Sequence, residues 1–159
     1  MKPAITVYER EEYGFTRLIA MVGQWEKDRQ APIWPTEYLF DIKRTQYYSE
    51  LGASIYGSSI SVYKLEYYGV NRIDQQHAEY MAATLKSINN RMAKIEENEG
   101  YCATFGEFVV RLARVLKAPI YYEHQSRHEL KGKVWNKMDM RYARAELDTW
   151  AQKIADKAA

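Results

Sequence analysis

The chain of 159 residues carries 23 Lys and Arg against 21 Asp and Glu, which leaves a formal net charge of only +2. Its composition, 47% hydrophobic and 28% charged, excludes a disordered protein and is typical of a globular one. No apolar run approaches the roughly 18 residues that a membrane span requires, and residues 1–12 are too charged for the apolar core of a signal peptide.

The sequence has one cysteine, Cys102, which excludes an internal disulfide framework. A lone cysteine suits a reducing compartment. Together with the chain length, this predicts a single globular domain over residues 1–159, cytoplasmic and without membrane contact.

The N-terminal half predicts short extended segments and one helix. Ala4–Tyr8 fits a brief extended segment, and Ser61–Tyr68 alternates apolar with charged residues as a strand does. Residues 36–51 are compatible with a helix, and Gly52–Ser61 is compatible with a loop. A helix running to about Arg29 is predicted from apolar residues at helical spacing, Phe15, Leu18, Ile19, Val22 and Trp25.

Two consecutive helices over Asp74–Lys117 are the strongest structural prediction. Asp74 is placed to cap the first helix, and Gly100 is placed to end it. This helix carries apolar residues at the alternating intervals of a heptad seam, Ala78, Met81, Leu85, Ile88, Met92 and Ile95.

The second helix of the pair has clear start and stop signals. Thr104 and Glu107 form a T-x-x-E capping box, and Pro119 closes the run. One face is predicted to pack through Phe105, Phe108, Val109, Leu112 and Leu116. The opposite face is predicted to be cationic, with Arg111, Arg114 and Lys117.

The C-terminal part predicts a strand, a loop and a helix. Pro119–Glu123 fits a brief strand that could pair with 61–68, and Gln125–Lys133 fits a polar loop. A last helix from about Trp135 to Lys157 is predicted by a second heptad seam, Met140, Ala143, Leu147, Trp150 and Ile154. The expected fold is therefore α+β and helix-dominated, a helical pair or bundle with a small two- or three-stranded sheet.

Positive charge is concentrated late in the chain. Between Phe108 and Arg144 there are nine Lys or Arg against three acidic residues. They predict a basic face made of Arg111, Arg114, Lys117, Arg127, Lys131, Lys133, Lys137, Arg141 and Arg144. Three aromatic residues nearby, Tyr121, Tyr122 and Trp135, are predicted to serve in stacking.

Such a surface fits two partners equally well, nucleic acid or an acidic protein surface. No helix-turn-helix, zinc-finger or OB pattern occurs in the sequence to favour nucleic acid. A homodimer is a further expectation, because a heptad seam can pack internally or between two copies.

A metal site is the weaker interpretation of the two neighbouring histidines. His124 and His128 are four residues apart, and on a helix such a pair can bind one metal ion together with a carboxylate. The sequence offers no third ligand, since His77 lies in a different helix. Two exposed histidines in a basic loop are therefore favoured, and no cofactor is predicted.

Two fragments resemble enzyme motifs. Gly52–Gly57 loosely resembles the nucleophile elbow of hydrolases, although G-x-S-x-G has one residue fewer. The order Arg44, Ser59-Ile60-Ser61 and Glu97-Asn98-Glu99 resembles the arginine, S-x-S and E-x-E series of ADP-ribosyltransferases. In that family the pieces lie on strands and a loop beside the nicotinamide, whereas here the two glutamates close a predicted helix. The sequence gives no strong enzyme signal.

The sequence thus predicts a small non-catalytic intracellular protein that engages a macromolecule through a basic, tyrosine-rich surface. Direct nucleic-acid binding is the first alternative. A hydrolase or transferase built around Gly52–Ser61 is the second. A compact domain of this kind is also compatible with a phage or mobile-element protein that inhibits a host complex.

Overall fold

The computed structural model describes residues 3–12, 14–28, 30–33, 40–48, 59–67, 75–100, 102, 104–124 and 134–158. For 40–48, 59–67 and 75–82 the backbone alone is described. Within these ranges no helix is long and apolar enough to cross a membrane.

Strands and helices contribute about equally to the described chain. The strands are β1 (Pro3–Glu12), β2 (Phe15–Glu26), β3 (Ala31–Ile33), β4 (Phe40–Tyr48), β5 (Ser59–Tyr67), β6 (Ile120–His124) and β7 (Val134–Lys137). The helices are α1 (Gln75–Glu99), α2 (Phe105–Leu116) and α3 (Ala143–Ala158). The fold is α+β, but the expectation that helices dominate it was wrong.

The seven strands form one mixed sheet with the order β5-β4-β2-β1-β6-β7, and β3 pairs with β2. β1 and β2 form a long antiparallel hairpin that pairs over its full length, from Pro3 opposite Gln24 to Glu12 opposite Phe15. β6 lies parallel to β1, with Ile5 opposite Ile120. The predicted strands at 61–68 and 119–123 both exist, but they do not pair, because β4, β2 and β1 lie between them.

The segment predicted as a helix at Phe15–Arg29 is strand β2 instead. Leu18 and Val22 contact the helices, whereas Ile19 and Met21 are buried on the opposite face of the sheet. A strand that is covered on both faces carries apolar residues at odd and even positions alike. The alternation that marks a strand is then lost, and the remaining spacing resembles that of a helix.

The main core lies between one face of the sheet and the helices. Ile5, Val7, Val22 and Ile120 of the sheet are fully buried against helix residues, which include Ile88, Phe108, Val109, Leu112 and Leu147. The apolar face predicted for α2 is confirmed in this core, and so is the later part of the α1 seam, where Leu85, Met92 and Ile95 are partly buried. The side chains of Ala78 and Met81, the first residues of that seam, are not described. Asp74, the predicted cap of α1, lies outside the described residues.

The predicted capping box at the start of α2 is confirmed. Thr104 Oγ1 accepts the backbone N–H of Glu107 at 3.2 Å. At the other end Lys117 adopts the left-handed conformation, with φ of 52°, and its backbone N–H donates to the carbonyl of Ala113. Helix α2 therefore ends just before Pro119, as the sequence predicted.

The last helix starts later than predicted. Trp135 lies in strand β7, and α3 begins only at Ala143. Of the predicted heptad seam, Ala143 and Leu147 are fully buried, whereas Met140 precedes the helix and is 41% exposed. This seam therefore packs internally, against the protein's own core.

Candidate macromolecular interface

Arg111 was predicted on an exposed basic face, and this was wrong, because the residue is 4% exposed. Its guanidinium donates to the carbonyl of Gly100 at 2.7 Å and to Glu107 Oε1 at 2.8 Å. A third hydrogen bond of 3.4 Å reaches the carbonyl of Glu99. Arg111 thus ties the C-terminal end of α1 to α2, where a cation also meets the negative end of the helix dipole.

Two further cations of the predicted basic face lie at the end of α2. Arg114 is exposed and forms a two-point ion pair with Glu99, at 3.0 and 3.1 Å. Lys117 is exposed and, within the described part of the chain, makes no ion pair. Glu99 of helix α1 therefore neutralises part of the positive charge that the helical spacing predicted to face solvent.

The cations beyond β6 are also partly neutralised. Arg141 pairs with Asp139 through several contacts, the shortest of 2.7 Å, and lies over the ring of Tyr142. The hydrogen bonds from Arg141 lower the pKa of the Asp139 carboxyl. Arg144 is 63% exposed and lies 3.8 Å from Glu107 Oε2. Arg127, Lys131 and Lys133 lie outside the described residues.

Lys137 is an exposed cation that lies beside an aromatic residue of the sheet. It is in β7, directly opposite Tyr121 in the strand register, and both side chains therefore point to the sheet face away from the helices. No described acidic group forms an ion pair with it.

On that face Tyr121 stacks against Trp25. Their ring centroids are 3.7 Å apart and the rings are parallel within 1°. The two residues come from β6 and β2, which flank β1 on opposite sides, so the rings meet across β1. Small residues at the register pair Ala4 and Gly23 leave room for this crossing. Desolvation raises the pKa of the Tyr121 hydroxyl.

A second aromatic pair lies further along the same face. Tyr8 and Trp135 meet edge to face, with centroids 6.3 Å apart, and the Tyr8 hydroxyl contacts the sulfur of Met21 at 3.1 Å. Tyr122, the third predicted stacking residue, points to the other side and packs against the main core. We call the set Tyr8, Trp25, Tyr121 and Trp135 the aromatic face; each of its members is partly exposed.

An open groove of about 420 Å³ runs along the outer side of α3. It is lined by Tyr142, Ala145, Glu146, Thr149, Trp150 and Lys153. The Trp150 indole N–H donates to Glu9 Oε1 at 2.6 Å, which fixes this ring between α3 and the end of β1. Among its described lining residues, no hydrogen bond joins a nucleophile to a base.

Among the residues that the structure describes, the remaining candidates form no reactive site. His128 and Gly52–Gly57 lie outside the described residues, as does the side chain of His124, and no group of three metal-binding side chains occurs in the described ranges. Burial raises the pKa of the Cys102 thiol to about 11, which disfavours the reactive thiolate. Glu97 and Glu99 are exposed at the end of α1, which is not the setting of the ADP-ribosyltransferase motif.

Sequence reasoning missed half of the aromatic face. Tyr8 and Trp25 were not singled out, because their partners are more than 90 residues away along the chain. One available signal was the large number of tyrosines, 14 in all. Which rings these tyrosines contact, however, depends on the order of the strands in the sheet.

Comparison of the chain with protein-family models, with curated proteins and with solved structures gives no match.

Proposed function

We propose that the protein is a non-catalytic binding protein whose aromatic face engages an acidic surface of another protein. The observation that carries this proposal is the layer of four partly exposed aromatic side chains on the sheet face away from the helices, bordered by the cation Lys137. Tyr and Trp are enriched at protein interfaces because they bury a large area and lose little conformational entropy.

The charges favour a protein over nucleic acid as the partner. A nucleic-acid interface draws its affinity from several cations that are free to neutralise phosphates. Here Arg111 is buried, and Arg114 and Arg141 already pair with carboxylates. Lys137 lies beside aromatic rings and makes no ion pair within the described residues, which matches an interface with an apolar centre and a charged rim better.

The experiment is quantitative capture from a nuclease-treated lysate of the source cells, followed by titration with the isolated partner. We expect Lys137→Glu to weaken binding about tenfold or more, because it places a negative charge opposite the acidic surface of the partner. Tyr121→Ala removes a ring that contributes to the contact and should weaken binding further. Lys86→Glu on α1 is the matched control, because the same charge change occurs at an exposed site far along the chain.

Two outcomes would contradict the proposal. The first is equal weakening by Lys86→Glu and Lys137→Glu, which would indicate a general effect of charge. The second is salt-sensitive binding of labelled DNA or RNA that Lys137→Glu abolishes, which would support the nucleic-acid alternative.

A further inference from the structure

A stripe of exposed residues begins at Tyr142, just before α3, and continues along the helix. Tyr142, Glu146, Thr149 and Lys153 follow one another at intervals of four, three and four residues, so they share one side of the helix. The core-facing side is different, because Ala143 and Leu147 are fully buried. The stripe lines the open groove and includes Tyr142, which is 56% exposed.

We propose that this stripe binds a second copy of the chain, with the two α3 helices packed antiparallel about a two-fold axis between Thr149 and Trp150. Such an axis places a residue of one copy opposite the residue of the other copy that lies at the same sequence distance on the other side of the axis. Glu146 of each copy then faces Lys153 of the other. The two-fold axis repeats this ion pair, so the interface contains two Glu146–Lys153 pairs.

The charge pattern selects a second copy over an unrelated protein. Glu146 and Lys153 are seven residues apart, about 10 Å along the helix, which is too far for them to pair within one chain. Both are exposed, and within the described part of the chain neither forms an ion pair. Opposite charges set symmetrically about the point midway between Thr149 and Trp150 complement themselves when one helix is reversed.

The centre of the stripe also allows close approach of two helices. Thr149 is small and lies between the charged pairs, so the two backbones can come near each other there, and Ala145 leaves space just outside the pairs. Trp150, fixed by Glu9, supplies an apolar wall that each copy presents to the other. The groove between Tyr142 and Lys153 is thereby filled by the facing helix.

The dimer is expected to be weak. Two helices of 16 residues bury less than the roughly 1,200 Å² that a stable interface needs. We therefore expect a dissociation constant in the micromolar range and a mixture of monomer and dimer at moderate concentration.

Sedimentation equilibrium over about 1 to 500 µM tests the proposal, because this range brackets micromolar dissociation constants. We expect a reversible monomer–dimer equilibrium. Glu146→Lys and Lys153→Glu should each weaken it about tenfold or more, because each sets like charges opposite one another. The double variant with both reversals should restore dimerisation. All these sites are exposed, and circular dichroism establishes that each variant is folded.

A monomer at every concentration would overturn the proposal, and so would a dimer that the single reversals leave unchanged. An independent test replaces Thr149 with Cys, which should form a disulfide-linked dimer under mild oxidation, since both copies meet at this position. Lys86→Cys on α1 is the control and should form no disulfide-linked dimer. The native Cys102 interferes little, because its thiol is half-buried and its pKa is raised.

Discussion

The Asp148 carboxylate of α3 accepts the backbone N–H of Gly106, in the first turn of α2, at 2.8 Å. The other oxygen of the same carboxylate accepts the Thr104 hydroxyl at 3.1 Å. Thr104 in turn accepts the N–H of Glu107, so one acidic side chain completes the cap of a helix that is remote in sequence. This contact fixes α3, and with it the groove, against α2.

Asp148→Ala should lower the free energy of unfolding by about 1–3 kcal/mol, because it leaves the Gly106 N–H and the Thr104 hydroxyl without their acceptor. Urea denaturation followed by circular dichroism measures the change. Asp156→Ala is the control on the same helix, since Asp156 is exposed and, among the described residues, accepts a hydrogen bond from Gln152 alone. Equal effects of the two variants would contradict the capping role.

Gly106→Ala should be strongly destabilising for a steric reason. A Cβ at this position would lie 2.5 Å from the backbone oxygen of Arg144 and 2.5 Å from Asp148 Oδ1. A backbone atom cannot move aside easily, so we expect a loss of about 1–3 kcal/mol in urea denaturation, although alanine favours a helix. Asn90→Ala at an exposed site of α1 should be neutral or stabilising.

Arg111 should act on stability and not directly on binding. Arg111→Met leaves the end of α1 without its donors and Glu107 without its closest cation, and we expect a loss of about 3–5 kcal/mol. Arg114→Gln removes only an exposed ion pair and should cost less than about 1 kcal/mol. Thermal and urea denaturation compare the two; similar small effects would indicate that Arg111 is not a structural link.

Thr6→Val tests the packing beneath the aromatic face. The Thr6 hydroxyl is fully buried, and within the described chain it has no hydrogen-bond partner. Valine has the same shape without the buried polar group, so the variant should be neutral or more stable by about 1 kcal/mol. A clear loss of stability would mean that the hydroxyl does have a partner. Val7→Thr, a buried substitution in the opposite sense, should be destabilising.

The Cys102 thiol should be unreactive until high pH. Burial raises its pKa from 9.0 to about 11, although Arg111 opposes the shift. Because the folded-state pKa is raised, the stabilising contribution is fully present below pH 9 and is lost as the pH rises towards 11. We therefore expect slow alkylation at pH 8, and a loss of stability relative to Cys102→Ala between pH 9 and 11. Alkylation as fast as in the unfolded chain would contradict the burial.

Local signals were sufficient to predict α1 and α2. The capping box at Thr104 and the heptad spacing act within one or two helical turns, so their effect does not depend on the rest of the fold. Strand β2 was different, because it carries buried apolar residues on both faces of the sheet. The seven-stranded sheet, which joins strands from both ends of the chain, was not predictable from these patterns.

The basic face shows the same limit for the functional site. Helical spacing correctly placed Arg111 away from the predicted apolar residues, but the end of α1 covers that side of α2. The sequence likewise contains Glu99 and Asp139, but it does not indicate that they pair with Arg114 and Arg141. The aromatic face depends on strand order, and no sequence motif encodes it.

Site-specific photo-cross-linking tests the proposed binding surface most directly. A photoreactive p-benzoylphenylalanine replaces Lys137, beside the aromatic face, or Lys86, on α1, and the protein is irradiated in a lysate of the source cells. We predict a discrete protein adduct from position 137 that is absent from position 86 and is lost in the Tyr121→Ala background. The same adducts from both positions, or none from position 137, would contradict the assignment of the aromatic face as the binding site.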